Sequence, residues 1–264
     1  MISFLLLAPH LLIFIVPLQG WRLMLFYGIT LFFALKAATL LSAKGYNSLS
    51  SALYLTTWVG MEPGEFRSRG DFQTTWLRGT LSLGTGLSLI IFLPLINNET
   101  TQAVLFFTSL IFVFHFGLLE LNAQLWQYFG RNTKPIMAAP WQAVTLAEFW
   151  GKRWNMAFRD AAHRLIFTPV CRKLGTSGAA LAVFAFSGIV HEAVISIPAQ
   201  GGYGGPMIYF LLQFTGICLQ KRYKNFSSTF ITRIFLLTPL PLLFHQPFFK
   251  NVFIPLTRII GDLL

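Results

Sequence analysis

Charge is scarce in this chain, and negative charge most of all. Charged residues make up 11% of the sequence, against about 25% in an ordinary soluble domain. Nine Asp and Glu stand against 20 Lys and Arg among 264 residues. With 55% hydrophobic residues and a mean hydropathy of +0.62, one core cannot hide that much apolar surface from water. A water-soluble domain is thereby excluded, and the composition reads as an integral membrane protein. Cysteine is nearly absent: Cys171 and Cys218 belong to no CxxC or Cys/His pattern, which argues against a disulfide and a zinc site. There is no phosphate loop, GxSxG elbow, HExxH helix or EF-hand loop. No cleavable signal pattern is apparent, so the first apolar stretch reads as a retained span. Internal repeats and low-complexity tracts are missing too.

What is present is a series of apolar runs long enough to cross a bilayer, which takes about 20 residues each. They cover Ile2 to Leu18, Trp21 to Leu41, Thr80 to Ile96, Ala103 to Leu121, Thr176 to Ile197, Pro206 to Leu219 and Phe230 to Phe244. The tail from Phe248 to Leu264 is an eighth span or an interfacial helix. The 28 phenylalanines suit lipid-facing helices. Lys44, Arg67, Arg69 and Arg78 lie in one connection, and Arg131, Lys134, Lys152, Arg153, Arg159, Arg164, Arg172 and Lys173 in another. The intervening loops at 97–102 and 201–205 carry no Lys or Arg. This alternation places the basic loops and the N-terminus in the cytoplasm. It accounts for the net charge of +11 without nucleic acid. Lys36, near a cytoplasmic end, is expected to snorkel. The apolar piece Ser51 to Gly60 is too short to cross and is expected to be re-entrant or interfacial. The segment 122–175 reads as interfacial helices, and the glycine-rich stretch 201–206 as a tight non-helical connection. The expected fold is therefore all-α, a polytopic transmembrane helical bundle of about seven to eight spans with interfacial helices. It forms one domain over 1–264 with its informative core at 148–213.

Two segments concentrate the polar chemistry. In the first, a helix over 149–164 would place Trp150, Trp154, Ala157, Phe158 and Ala161 on one face. Lys152, Asn155, Arg159 and His163 would line the other, with Glu148 pairing Lys152 at i,i+4. Taken alone, this is an amphipathic helix at the headgroup level. In the second, the uncharged run from Thr176 carries Ser187, Gly188, His191 and Glu192. His191 lies fifteen residues into that run, roughly 22 Å deep at about 1.5 Å per residue. Ionisable groups at that depth are costly and usually mark a site or pathway; the plainer alternative is a histidine bonding between helices. His115 and Glu120 read as interhelical partners, Gln213 as a hydrogen bond to a neighbouring helix, and His10 and His245 as packing or interfacial residues.

Phe149-Trp150-Gly151-Lys152-Arg153-Trp154-Asn155 resembles the FWGRRWN motif of the wax-synthase branch of the membrane-bound O-acyltransferases. Phe186-Ser187-Gly188-Ile189-Val190-His191-Glu192 is similar to that branch's SGxxHE segment. The likeness runs from about Glu148 to Gln213. It implies an acyl-CoA cosubstrate, a lipid alcohol acceptor, and an internal tunnel joining them at a membrane-embedded histidine, with no resident cofactor or metal. His191 matches the catalytic histidine, Asn155 its companion asparagine, and Glu192 the acidic neighbour. Gln213 matches a polar residue on the acceptor side. Lys152 replaces a common arginine, keeping charge but losing the bidentate fork.

On this reading His191 acts as general base on the acceptor hydroxyl, and Asn155 holds the thioester or the CoA arm. The residues expected to contact substrate are Trp150, Lys152, Arg153, Trp154, Arg159, Ser187, Glu192 and Gln213. Arg164 joins Lys152, Arg153 and Arg159 in attracting the CoA phosphates. The protein would lie among membrane lipids of the endoplasmic reticulum in a eukaryote, or of the inner membrane in a bacterium. Two other classes stay open at this point. One is a transporter or channel using His115, Glu120, His191 and Glu192 as a polar pathway; the other is a lipid-binding scaffold without turnover.

Overall fold

A backbone that leaves water must satisfy its own hydrogen bonds, and the apolar runs do so as helices. The computed structural model describes residues 18–43, 48–70 and 76–262. The expected span Ile2 to Leu18, except Leu18 itself, lies outside these, as do His10 and Lys44. Among the described residues there is no strand, only an isolated bridge between Arg69 and Arg131. In chain order the elements are α1 (Gly20–Leu41), α2 (Ser48–Thr56), α3 (Pro63–Arg67), α4 (Leu77–Ile91) and α5 (Glu99–Tyr128). Then come α6 (146–153), α7 (Met156–Ala199), α8 (Gly205–Arg222), α9 (Thr229–Leu243) and α10 (246–261). The all-α membrane architecture is as expected. Among the described residues α1, α5 and α7 are long and apolar enough to cross a membrane, while α4 and α9 are shorter apolar helices.

Helix α7 is two arms. Gly175 interrupts it with φ 68° and ψ −179°, a conformation essentially reserved for glycine. In a straight helix Phe158 and Phe186 would stand roughly 42 Å apart at 1.5 Å per residue. Their rings instead stack with centroids 5.9 Å apart, so the chain folds back at Gly175. The hinge falls where the basic segment gives way to the uncharged run beginning at Thr176. Asn155 lies about 30 Å before the hinge along its arm and His191 about 24 Å after it. Folding back therefore brings the two motifs toward one level. A Cβ at Gly175 would meet nothing within 4 Å, so Gly175→Ala tests backbone strain alone. We expect it to cost about 1–3 kcal/mol and to lower the unfolding temperature in detergent by about 2–4 °C per kcal/mol. An unchanged melting curve would remove the hinge from the account.

Several helices widen locally into π turns, at 111–118, 149–153, 163–167, 192–196 and 249–253. Those at 163–167, 192–196 and 249–253 each end two residues before a proline: Pro169, Pro198 and Pro255. Proline has no N–H to donate and its ring crowds the carbonyl four residues back. A wider turn absorbs both effects without ending the helix.

The buried core has two centres. One gathers Phe106, Phe184, Ile195, Phe210, Phe248 and Phe253, with Trp150 at its margin. The other gathers Tyr54, Trp58, Phe66, Ala123, Ala157 and Ala161, with Phe158 and Phe186 at its margin. The second corrects the expectation for Lys36. Its side chain is fully buried, donating to the Gly60 carbonyl at 2.7 Å with Nζ 3.3 Å from the Tyr54 ring centroid. The segment from α2 to α3 supplies both partners and covers the end of α1, so the route to water is closed.

Candidate active site

The first motif does not form the continuous helix expected over 149–164. After the π turn at 149–153, Trp154 is extended (φ −101°, ψ 128°) and Asn155 is left-handed (φ 44°, ψ 62°). Asparagine tolerates this conformation because its short polar side chain bonds locally. Here Asn155 Oδ1 accepts from the Phe158 N–H at 3.1 Å, capping α7. The expected i,i+4 pair of Glu148 with Lys152 is also replaced. The five-residue turn brings Arg153 beside Glu148, with Nη2 to Oε1 at 2.6 Å. Arg153 Nη1 donates to the carbonyls of Ala138 at 3.1 Å and Ala139 at 3.3 Å. Arg153 thus ties the motif to the preceding loop. The Val144 backbone N–H, then Arg153, hold the Glu148 carboxyl below the usual range.

Trp154 is sandwiched by rings, stacked on Phe149 at 5.5 Å and on His115 at 6.0 Å. Sequence reasoning expected His115 and Glu120, which share one span, to pair with groups on other helices. The His115 ring faces the motif tryptophan instead, and its Nδ1 is buried with no hydrogen-bond partner. Glu120 accepts from Gln124 on its own helix at 3.0 Å.

Trp150 reaches toward the second motif. Its ring lies 5.6 Å from that of Phe210 on α8, and the Phe210 ring lies 4.5 Å from that of His191. Trp150 Nε1 donates to Gln213 Oε1 at 3.4 Å, and Gln213 Nε2 donates to the Phe235 carbonyl at 2.9 Å. Gln213 is therefore the interhelical bond read from the sequence, between α6, α8 and α9. His191 Nδ1 lies 2.7 Å from the Ser187 carbonyl oxygen. A carbonyl only accepts, so Nδ1 carries the proton and Nε2 keeps its lone pair. Ser187 contributes that carbonyl, while its hydroxyl donates to Val183 O at 3.0 Å. Glu192 Oε1 accepts from the backbone N–H of Met207 at 3.2 Å.

Lys152 and Arg159 line a cavity of about 180 Å³ with Lys134, Glu62, Glu65 and Asp160. His191 and Asn155 do not line it. Lys134 pairs with Glu65 and Arg159 with Asp160, and Arg164 pairs with Glu62. Among the described residues Lys152 makes no ion pair, and it is exposed. His245, expected to be a packing residue, is buried beside Ser196 with Nε2 to Oγ at 3.3 Å. No cluster of three or more His, Cys, Asp or Glu able to hold a metal occurs among the described residues.

The fold and these contacts define a helical membrane protein in which Phe210 packs between an aromatic-basic motif and a histidine on a folded-back arm. Residues 133–212 match the model of the membrane bound O-acyl transferase family, as the two motifs led us to expect. The chain is 28% identical over 113 residues to a probable long-chain-alcohol O-fatty-acyltransferase 7 of Arabidopsis thaliana, covering 39% of this chain and 33% of the relative. It is 32% identical over 101 residues to the long-chain-alcohol O-fatty-acyltransferase of Simmondsia chinensis, covering 33% and 29%. An acyl-CoA–sterol O-acyltransferase 1 of A. thaliana is 27% identical over 92 residues, covering 32% and 26%. The matched region spans a third or less of the length of these three relatives.

Proposed function

We propose that the protein transfers an acyl group from acyl-CoA to the hydroxyl of a lipid-like alcohol, giving a wax-type or related ester, with His191 as general base. The observation that carries this reading is the bond from His191 Nδ1 to the Ser187 carbonyl at 2.7 Å. It fixes the tautomer in which Nε2 is free to take a proton. In the proposed step Nε2 removes the hydroxyl proton as the alcohol oxygen attacks the thioester carbonyl carbon. The carbon–sulfur bond then breaks, and the departing CoA thiolate receives the proton back from the imidazolium.

Asn155 supports the same reading differently. Its Oδ1 is committed to the α7 cap, which leaves Nδ2 as the group to hydrogen-bond the thioester carbonyl. Lys152, at the mouth of the cavity and without an ion pair, is the cation best placed to attract CoA phosphates. Arg159 and Lys134 are already neutralised by carboxylates, and Arg153 serves the motif's own framework. The named activities of the relatives include both long-chain alcohol and sterol acceptors, so acceptor identity is to be established by assay. Purified protein given labelled acyl-CoA and a panel of fatty alcohols, sterols, terpenoids and diacylglycerol should release CoA and labelled ester in equal amounts. Ion or solute flux in liposomes without any ester formation would favour a transporter instead.

A further inference from the structure

Glu192 follows His191 directly, yet it reaches another helix. Its Oε1 accepts from the Met207 N–H at 3.2 Å. Met207 sits in the first turn of α8, where backbone N–H groups lack partners within the helix and negative charge is favoured. That turn is tightly enclosed. A Cβ on Gly188 would meet Met207 Cα at 3.0 Å, and a Cβ on Gly205 would meet the Leu242 carbonyl oxygen at 2.3 Å. Helix α8 thus enters between α7 and α9 at van der Waals contact, and Glu192 is a polar tie that fixes it lengthwise. One turn beyond Met207 comes Phe210, 4.5 Å from His191. Another turn on comes Gln213, bonded to Trp150. The other oxygen, Oε2, is buried with no hydrogen-bond partner. Neighbouring His245 is occupied, accepting from the Phe248 N–H at Nδ1 and facing Ser196 at Nε2.

We propose that Glu192 is a positioning residue: it grips the N-terminus of α8 and so holds Phe210 and Gln213 in register with His191 and Trp150. This rests on the reading of His191 as the base. The reach of the side chain and one acceptor oxygen are what the grip requires; full negative charge is not. Glutamine keeps both requirements. Aspartate keeps the charge but is one methylene short.

The test compares Glu192→Gln, Glu192→Asp and Glu192→Ala with wild type and His191→Ala, all as the full chain in detergent. Turnover is followed with labelled acyl-CoA and an alcohol the wild type accepts. Hydrogen exchange is followed over 205–213. We expect Gln to stay within about threefold of wild type. Asp and Ala should lose about ten- to a hundredfold, mainly in kcat, as a misplacement near 1 Å does. Exchange in the first turn of α8 should accelerate at least about tenfold in Asp and Ala and remain unchanged in Gln. Equal exchange in all three variants overturns the grip, as does an active Asp beside an inactive Gln. Wild-type turnover in His191→Ala removes the base assignment, and with it the catalytic role of the grip, whatever the exchange data show.

Discussion

Asn155→Asp should leave the protein folded and nearly inactive. Aspartate is among the few residues that accept the left-handed conformation seen at φ 44°. Its carboxylate can accept from the Phe158 N–H as Asn155 does at 3.1 Å. The unfolding temperature should therefore stay within a degree or two of wild type. The amide donor is lost, and a negative charge faces the developing oxyanion. Removing one such donor costs about 10²–10³ in turnover. Asn155→Ala separates the two roles of this residue. It should lose the same activity and, in addition, about 0.5–2 kcal/mol from the missing cap and roughly 1–2 kcal/mol from the left-handed backbone. A fully active Asp variant would reduce Asn155 to a helix cap.

His191→Ala carries the other large effect. Loss of a positioned general base costs about 10²–10⁴. The loss should fall on kcat and leave KM for acyl-CoA close to wild type, because the imidazole acts on the acceptor hydroxyl and not on donor binding. The variant should remain monodisperse. The carbonyl of Ser187, which accepts from Nδ1 at 2.7 Å, lies within the helical ladder, and the ring packs on Phe210 from one side. A rise in KM with kcat unchanged would make His191 a binding residue.

Much of this arrangement was legible in the sequence, and the departures share a physical cause. Hydropathy located α1 and the arm 176–199, because burial in lipid depends on composition more than on neighbours. The change from basic to uncharged sequence marked Gly175, although nothing in the pattern showed that the chain reverses there. His191 was singled out as an ionisable group deep in its run, and the tautomer followed only once the Ser187 carbonyl was in place. The helix over 149–164 failed because a 3.6-residue period was assumed where a π turn of five residues intervenes. That error exchanged Lys152 for Arg153 as the partner of Glu148. The prolines at 169, 198 and 255 were a usable signal for three of the π turns and were not read as one. Lys36 and His115 were misjudged for a different reason. Their surroundings come from segments distant in sequence, Tyr54 and Gly60 for one and Trp154 for the other. Local spacing carries no information on such contacts.

The central claim is that an acyl group passes directly from CoA to an alcohol at His191. It is tested most directly by mixing purified protein with labelled acyl-CoA and the preferred alcohol, quenching over one turnover, and recovering both the lipid and the protein. The account predicts labelled ester from wild type, none above background from His191→Ala, and no label bound covalently to either protein. Ester formation by His191→Ala at the wild-type rate, or a labelled acyl-protein that forms and decays ahead of product, would contradict it.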